Sequence, residues 1–304
     1  MIDRVDVIIS TKNRSKALLE TIGIMISLGF EQKQFFIIDD GSTDDTFEMI
    51  QHHFPNCNLR RNKISKGYIE NRSFLMQNTK NDFVLSIDDD SNLLREEDLL
   101  EAISILDENV VYGIFHFKPY NQINPPPLKN ELSSTFRKLR GYVGCGHLIK
   151  REVIEKVGGY HSEFEFYCEE LDFSLRALNK GYFVIGKDDL IVHHRVDFNK
   201  RKEQKNSKAE LGVYGSRWRK QLLFSNNILL CFLHYPFGLG SLFAMYKYLL
   251  ASREFLFKEF DFLNFWRFNV RIFKKIPFVI NKMEVIKFSD FFQWFKLKYM
   301  TSSH

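Results

Sequence analysis

The sequence predicts an α/β fold, in which a mixed, mostly parallel sheet is flanked by helices and followed by a C-terminal amphipathic helical region. Three short apolar runs within residues 1–90 have the length of buried strands, and each leads into a helical pattern. Strands that alternate with helices indicate βαβ units and a parallel sheet. Each run also ends in polar or acidic residues, and such sheets bind ligands beyond the C-terminal ends of their strands.

The first two predicted strands end in polar groups suited to a nucleotide. Residues 5–9 are followed by Ser10-Thr11-Lys12-Asn13-Arg14, which combines hydroxyl, amide and cationic groups. Residues 34–38 end in Asp39-Asp40-Gly41-Ser42 and lead into a helical pattern. Because parallel strands end at one edge, these groups are expected to lie close together.

The third predicted strand, residues 83–87, ends in Asp88-Asp89-Asp90. Three adjacent carboxylates repel one another unless a cation holds them, and carboxylate oxygens are preferred ligands of Mg²⁺ and Mn²⁺. Strand alternation directs Asp88 and Asp90 to the same side. The alternative is a solvated acidic loop that caps the next helix. The second acidic strand end, at residues 39–40, favours the metal site.

The chain resembles the family 2 glycosyltransferases, which have the GT-A fold, over about residues 5–195. Several motifs in the family's order are far more specific than any one alone. These motifs are residues 5–14, residues 37–44 with Asp39-Asp40-Gly41-Ser42, residues 87–90, Gly144-Cys145-Gly146-His147 with residues 151–160, the helix start at residues 169–176, and His193-His194 after residues 190–192.

The resemblance implies a nucleotide-binding site in the N-terminal half. Asp40 would accept a hydrogen bond from the imide of a uracil or thymine ring, and Arg72 would lie beside the nucleotide. Asp88 would lie near the ribose or a metal-bound water. The implied nucleotide-binding residues are Ser10, Thr11, Asn13, Asp40, Arg72, Asp88 and Asp89.

The resemblance also implies metal ligands and a catalytic base. Asp90 would bind a divalent metal, Mn²⁺ or Mg²⁺, and His193 or His194 would be a further ligand. Neighbours on a strand point to opposite faces, so one histidine is expected to be structural, and His193 is the favoured ligand. Glu170 occupies the position of the family's base, with Glu169 as the reserve. Both glutamates also begin a predicted helix, where acidic residues stabilise the helix dipole.

Two positions depart from the family pattern. Lys12 stands where many relatives carry an aromatic residue that stacks on the base, so the base preference stays open. Glu170 stands where the family usually has aspartate, and it adds one methylene group. A base must come within roughly 2.6–3.2 Å of the group that it deprotonates. The longer side chain therefore requires a backbone that lies further from the substrate.

The implied function is that of an inverting, metal-dependent enzyme. It would move a sugar from a UDP- or dTDP-linked donor to a hydroxyl group of a glycan or lipid-linked acceptor, in surface polysaccharide biosynthesis. The alternative is a non-catalytic, glycosyltransferase-like protein that recruits a partner to the membrane. Intact Asp90, Glu170 and His193 favour the enzyme.

The length of the chain, 304 residues, predicts a catalytic domain with an appendage. Residues 1–198 form the predicted catalytic domain, with 1–90 as its nucleotide-binding half and 91–198 as its acceptor half. Residues 119–138 predict a long loop, either a lid or an inert surface segment. Four cysteines without paired spacing indicate neither a disulfide framework nor a zinc site. Together with the expected lack of a signal peptide, this predicts a cytoplasmic protein.

Residues 199–304 are predicted to be a basic, aromatic-rich helical region that associates with a membrane. Residues 253–304 hold ten basic against five acidic residues, together with many phenylalanines. Aromatic and basic residues on amphipathic helices suit an anionic membrane surface. This composition predicts peripheral association with the inner face of the membrane. The aromatics lie at helical spacing and no RNA-binding motif is present, so nucleic acid is not an expected partner.

Residues 222–252 are largely apolar, but His234, Pro236 and Gly238 divide them into two pieces. Each piece is shorter than the roughly 20 apolar residues of a membrane span. Two helices that lie on or dip into the membrane are therefore predicted. The alternative is that they pack on the catalytic domain or on a second copy of the chain, as in a homo-oligomer.

Overall fold

The computed structural model describes residues 1–121, 126, 128, 129, 132, 134–196 and 216–298. The described residues form a nine-stranded mixed sheet flanked by helices, which confirms the predicted α/β class. The strands are β1 (Val5–Thr11), β2 (Phe35–Asp39), β3 (Asn58–Arg61), β4 (Phe83–Ile87), β5 (Ser91–Leu93), β6 (Tyr112–Tyr120), β7 (Phe136–Leu139), β8 (Gly146–Lys150) and β9 (Phe183–His194).

The order of the strands is β3-β2-β1-β4-β8-β6-β9-β5, and β7 pairs with β9. The first four strands of this order are parallel neighbours, whereas β8 runs antiparallel to both β4 and β6. The polar C-terminal ends of β1, β2 and β4 therefore meet at one edge. Strand β9 returns to that edge antiparallel to β5, with Ser91 opposite His194.

Helices connect and cover the strands. They are α1 (Ser15–Ser27), α2 (Thr46–His53), α3 (Tyr68–Asn78), α4 (Glu96–Glu108), α5 (Arg151–Val157), α6 (Glu169–Asn179), α7 (Ser216–His234), α8 (Leu239–Ser252), α9 (Phe262–Lys274), α10 (Ile276–Lys282) and α11 (Phe288–Lys296). A π-helical turn at Arg253–Lys258 follows α8 directly, and short 3-10 segments lie at Ile2–Arg4, Gln32–Gln34 and Ser162–Phe164.

Two apolar cores form, one on each face of the sheet. Strand alternation sends Val7 and Ile9 of β1 into one core and Ile8 into the other. The first core contains buried side chains of α1 and α4. The second contains those of α3, α5 and α6. The sheet is thus covered on both faces, which leaves its edges and strand ends for a site.

Helix α7 belongs to the second core. Leu229 and Leu233 are at most 1% exposed and share this core with Phe173 of α6. The predicted break between two helices is confirmed, because α7 ends at His234 and α8 begins at Leu239. Most apolar side chains of α7 are buried in the core that it shares with the sheet domain, which favours for this helix the alternative of packing on the catalytic domain.

The predicted domain boundary after residue 198 lies outside the described residues. The predicted loop at residues 119–138 is shorter than expected, because β6 extends to Tyr120 and β7 begins at Phe136. Its central residues 122–125 are also outside the described part. Among the described helices, none combines the length and the apolar character needed to cross a bilayer.

The burial of α7 predicts how the chain unfolds. We expect Leu229→Ala to lower the free energy of unfolding by about 2–5 kcal/mol, because it opens a cavity in the shared core. Leu223→Ala on the same helix is the matched control, since Leu223 is 43% exposed, and its effect should stay within about 0.5 kcal/mol. Urea denaturation followed by circular dichroism measures both. Two separate unfolding transitions, or equal losses of unfolding free energy in the two variants, would show that α7 folds independently of the sheet.

Candidate active site

The C-terminal ends of β1 and β4 and the start of α3 enclose a cleft of about 150 Å³. Polar and charged side chains from three elements converge here, which is the arrangement that the strand-end pattern predicts. The lining residues are Ser10, Arg14, Tyr68, Arg72, Asp88, Asp89 and Asp90.

The acidic turn after β4 is held in place by Ser91. The backbone N–H of Asp88 donates to Ser91 Oγ at 2.8 Å, and this hydroxyl donates to the carbonyl of Cys145 at 2.8 Å. Asp89 and Asp90 are buried, whereas the Asp88 side chain is one-third exposed. The turn therefore presents carboxylates to the cleft in a fixed arrangement.

Asp88, Asp90 and His194 form a group with metal-ligand chemistry. One ligand atom from each lies within 4.8 Å of the other two. His194 Nε2 is 3.2 Å from Asp90 Oδ1 and 3.6 Å from Asp88 Oδ2, while its Nδ1 is 2.9 Å from Asn121 Oδ1. An amide oxygen only accepts, so the contact with Asn121 directs a proton to Nδ1 and leaves Nε2 as the ring nitrogen available to a metal ion. Two carboxylates and an imidazole are suitable ligands for Mn²⁺ or Mg²⁺.

The structure places His194, and not the favoured His193, in this group. In the pairing of β5 with β9, His194 lies opposite Ser91, and His193 lies opposite Asn92. Neighbouring side chains on a strand point to opposite faces. The His193 ring packs near Tyr120 instead, with ring centroids 5.9 Å apart. The register of β9 decides this assignment, and it was not visible in the sequence.

Arg14 is a site residue to which sequence analysis gave no role of its own. Its Nε is 2.8 Å from Asp89 Oδ1, and its Nη2 forms an ion pair with Asp90. Burial raises the pKa of Asp89 to about 7, although the charge of Arg14 opposes the shift. Arg14 thus neutralises the acidic turn on the side facing away from His194. The signal available in the sequence was its position in the polar run after β1.

Arg72 lies deeper in the cleft, with 4% of its surface exposed. It forms an ion pair with Asp88, and its Nη1 donates to the carbonyl of Gly144 at 3.0 Å. A Cβ atom on Gly144 would lie 2.9 Å from Arg72 Nη1 and 2.7 Å from Glu170 Oε1. Arg72 therefore stands between the acidic turn and Glu170, and Gly144 leaves the room that both side chains occupy.

Glu169 and Glu170 begin α6 and differ in their surroundings. Glu169 is 1% exposed and accepts a hydrogen bond from the Tyr68 hydroxyl. Glu170 is partly buried, and its carboxylate reaches the Gly144 and Arg72 side of the cleft. Burial raises the pKa of both groups, and the nearby Glu169 charge raises the pKa of Glu170 further. Glu170 is thus the glutamate whose carboxylate lies close to Arg72, one of the residues that line the cleft.

Asp40, the predicted partner of the nucleobase, is held by its own loop. It is 5% exposed, and both of its oxygens already accept hydrogen bonds of 2.6–3.0 Å from the segment of residues 62–67. Burial alone would raise its pKa, but hydrogen bonds, including one from Asn71, lower the pKa to about 2. A carboxylate so engaged holds the loop after β3 and has no free oxygen for a nucleobase imide. The four donors are Ser65 Oγ, Asn62 Nδ2 and the backbone N–H groups of Lys66 and Gly67.

The remaining predicted nucleotide-binding residues mainly hold the cleft walls. Thr11 Oγ1 donates to Asp89 at 2.8 Å, and Ser10 Oγ accepts from Asn71 at 3.2 Å. Asn13 has a left-handed backbone with φ of 56°, and its side-chain oxygen accepts from the backbone of Thr43 at 2.8 Å. Of these, Ser10 and Asp89 line the cleft itself.

Comparisons with known proteins agree with this fold. The family model for glycosyl transferase family 2 matches residues 6–158. A Haemophilus influenzae protein described as an uncharacterized glycosyltransferase is 26% identical over 190 residues. The match covers 58% of this chain and 63% of that relative, so it spans less than two thirds of the relative's length.

Two solved structures share the fold at low sequence identity. A mannosyltransferase from Pyrobaculum calidifontis, in complex with GDP-mannose and Mn²⁺, gives a TM-score of 0.55 at 13% identity over 90% of this chain and 86% of that chain. S. aureus TarS in complex with UDP gives 0.50 at 16% identity over 96% and 81%. These likenesses confirm the predicted fold.

The metal-ligand geometry is testable with Mn²⁺ alone. We expect His194→Ala to weaken Mn²⁺ binding at least about tenfold, because it removes one of three proposed ligands. Loss of a residue that only supports a metal ligand already lowers metal affinity by about tenfold or more. His193→Ala is the matched control and should leave the affinity nearly unchanged. Titration followed by electron paramagnetic resonance of free Mn²⁺ measures both variants. A larger loss in His193→Ala would return the assignment to His193.

Proposed function

Because this chain belongs to glycosyl transferase family 2, we propose that it transfers a sugar from a nucleotide-sugar donor to a hydroxyl group of a glycan or lipid-linked acceptor. The observation that carries the proposal is the position of Glu170. Its carboxylate lies close to Arg72, whose guanidinium pairs with Asp88 of the group formed by Asp88, Asp90 and His194. A candidate base and a metal-ligand group that share one arginine support transfer between two substrates.

The donor side of the cleft is suited to a diphosphate. Asp88, Asp90 and His194 would hold Mn²⁺ or Mg²⁺, and a bound divalent cation neutralises the charge that develops on a diphosphate leaving group. The Pyrobaculum mannosyltransferase of the same fold binds GDP-mannose with Mn²⁺. Arg14 and Arg72 are the described cations that line the cleft, and both are placed to attract phosphate oxygens.

Glu170 acts on the acceptor side. It accepts the proton of the acceptor hydroxyl while the hydroxyl oxygen forms a bond to the anomeric carbon. The bond from that carbon to the diphosphate oxygen breaks, and the nucleoside diphosphate leaves with the electron pair. The raised pKa of Glu170 makes its carboxylate a stronger base than an ordinary glutamate. Displacement from the face opposite the leaving group inverts the configuration of the anomeric carbon.

The donor base is proposed to be uracil or thymine, as the resemblance implies. Asp40, which the resemblance assigned to the base, is occupied by its own loop. Proteins of this fold bind UDP in one case and GDP-mannose in another. A thermal-shift screen with UDP, dTDP, GDP and CMP, each with and without Mn²⁺, distinguishes the bases, since ligand binding stabilises the native state.

The acceptor is proposed to be a glycan or lipid at an anionic membrane surface, as in surface polysaccharide biosynthesis. Helices α8, α9 and α11 each bury one apolar face and expose another at helical spacing. Exposed apolar patches of this extent mark an interaction surface. The exposed residues are Leu242, Met245, Tyr246 and Leu249 on α8, Phe262, Leu263, Trp266 and Phe273 on α9, and Phe288, Phe292 and Phe295 on α11.

Charge favours a lipid surface over other occupants. Exposed basic residues are interleaved with the exposed aromatics, and residues 253–304 carry twice as many basic as acidic side chains. Each basic residue near an anionic bilayer contributes about 1 kcal/mol. The exposed basic residues among the described part of this segment are Arg253, Lys258, Arg267, Lys274, Lys282, Lys287, Lys296 and Lys298. This charge supports the proposal that the protein associates with the inner, cytoplasmic face of the membrane.

The catalytic proposal predicts a specific loss. Glu170→Gln should lower turnover by about 10²–10⁴-fold because it removes the base, while nucleotide affinity stays near that of the wild type. Release of nucleoside diphosphate from UDP- and GDP-sugars with Mn²⁺ measures turnover. Glu169→Gln is the matched control and should retain most of the activity. If Glu169→Gln alone loses activity, the base is Glu169. If the folded protein binds no nucleotide, the non-catalytic recruitment function is favoured.

The membrane proposal predicts binding to anionic vesicles. Flotation with phosphatidylcholine vesicles that contain phosphatidylglycerol should recover the protein, and high salt should reduce the recovery. Replacing Trp266 and Phe273 with serine should weaken binding at least about tenfold, because both lose apolar contact area. The matched control replaces Phe74 and Phe136, which are 39% and 41% exposed on other elements. No flotation, with a dimeric mass by light scattering, would assign the surface to a second copy.

A further inference from the structure

We infer that Asn226 of helix α7 is a positioning residue for the catalytic base Glu170. The inference rests on the proposed function, and it concerns the loop of residues 164–168, which runs directly into α6. The C-terminal helices hold this loop from outside the part of the chain that matches the family model, residues 6–158. Sequence motifs therefore gave no sign of it.

The loop before α6 has an unfavourable backbone. Glu165, Tyr167 and Cys168 have φ values of 60°, 69° and 73°, in the left-handed region that residues other than glycine rarely adopt. Backbone of this kind persists only where the surrounding structure fixes it, and it is concentrated at functional sites. Cys168 is the residue that precedes Glu169 and Glu170. The conformation of the loop therefore sets where the first turn of α6, and with it Glu170, begins.

Asn226 supplies the fixing contacts. It is 1% exposed, and its side-chain nitrogen lies 2.7 Å from the carbonyl oxygen of Phe164, 2.8 Å from that of Phe166 and 3.0 Å from that of Tyr167. An amide group has two hydrogens, so three carbonyls share two donors. A single buried side chain thus binds three of the carbonyl groups along the unfavourable backbone.

A second contact from α7 holds α6 just after the base. His234 Nε2 is 2.8 Å from Asp172 Oδ1, and both side chains are fully buried. Asp172 also pairs with Arg176 and lies 3.0 Å from His161. Burial opposes the charge of Asp172, but these partners lower its pKa well below the usual range. Asp172 lies two residues after Glu170, so α7 holds the chain on both sides of the base.

Helix α9, which carries Trp266 and Phe273, also contacts the loop. Arg271 pairs with Glu165 at 2.5 Å, and Lys275, directly after α9, donates to the carbonyl of Glu163 at 2.6 Å. The proposed membrane surface and the loop before the base are thus opposite sides of one helical layer.

The expected consequence is a loss of rate with little loss of donor binding. A base must lie within hydrogen-bond distance of its substrate, and a displacement of about 1 Å costs on the order of 100-fold in rate. Donor binding is proposed to depend on the acidic turn, Arg14 and Arg72, whose hydrogen bonds and ion pairs given above are made to elements other than the loop of residues 164–168. Asn226→Ala should therefore lower kcat by about 10–100-fold and leave the KM of the donor nearly unchanged.

The test compares Asn226→Ala and Asn226→Ser with Asn227→Ala. Asn227 is the neighbouring asparagine on α7, but its side chain accepts from Lys247 at 2.9 Å and lies away from the loop. Two measurements are made on the full chain: kcat and KM for release of nucleoside diphosphate with Mn²⁺, and hydrogen exchange of the amides of residues 164–170. We expect faster exchange and a lower kcat in both Asn226 variants, with a smaller effect for serine, which retains one donor, and neither change in Asn227→Ala.

Other results would overturn the inference. Exchange and kcat like those of Asn227→Ala would show that Asn226 does not hold the loop. A parallel loss of nucleotide affinity and of overall stability would show a general structural role. If the alanine variant does not fold, the serine variant supplies both measurements. If the wild type turns over no nucleotide-sugar, the proposed function fails, while the exchange measurement still decides whether Asn226 fixes the loop.

Discussion

Repulsion among carboxylates is the constraint on which this site depends. The sheet brings Asp88, Asp89 and Asp90 to the end of a buried strand, where like charges separated by a few ångströms raise the free energy of the folded state. Arg14 and Arg72 neutralise the turn from two sides, and His194 closes it from the antiparallel strand. Carboxylate oxygens of Asp88 and Asp90 and a ring nitrogen of His194 thus face one another. A divalent cation would stabilise this group.

The same charges connect the two halves of the cleft. Arg72 is buried, so its interaction with Asp88 is screened less than a surface ion pair would be. It also lies beside Glu170, whose pKa is raised by burial and by Glu169. The Arg72 guanidinium thus stabilises the acidic turn and favours the ionised form of the proposed base. Gly144 makes this possible, because a side chain at that position would occupy the space of both groups.

The C-terminal helices support the segment that carries Glu170, and they also present an exposed surface. Helix α7 completes the second core, and its polar residues Asn226 and His234 bind the segments on either side of Glu170. Helices α8, α9 and α11 add an outer layer with apolar residues on both faces. An enzyme that acts on a lipid-linked acceptor would gain from this arrangement, since one helical layer borders both the bilayer and the base.

The sequence by itself determined the fold class and the acidic strand ends, because strand alternation and strand–helix order are local patterns. The two glutamates were singled out by the resemblance of their helix start to the family motif. Only the tertiary structure decided between His193 and His194, since the register of β9 against β5 sets which ring meets Asp90. The tertiary structure also joins Asp40 to its own loop by hydrogen bonds and buries much of α7 in the second core. These outcomes depend on contacts between residues far apart in the chain, and local patterns of polarity carry no information about such pairings.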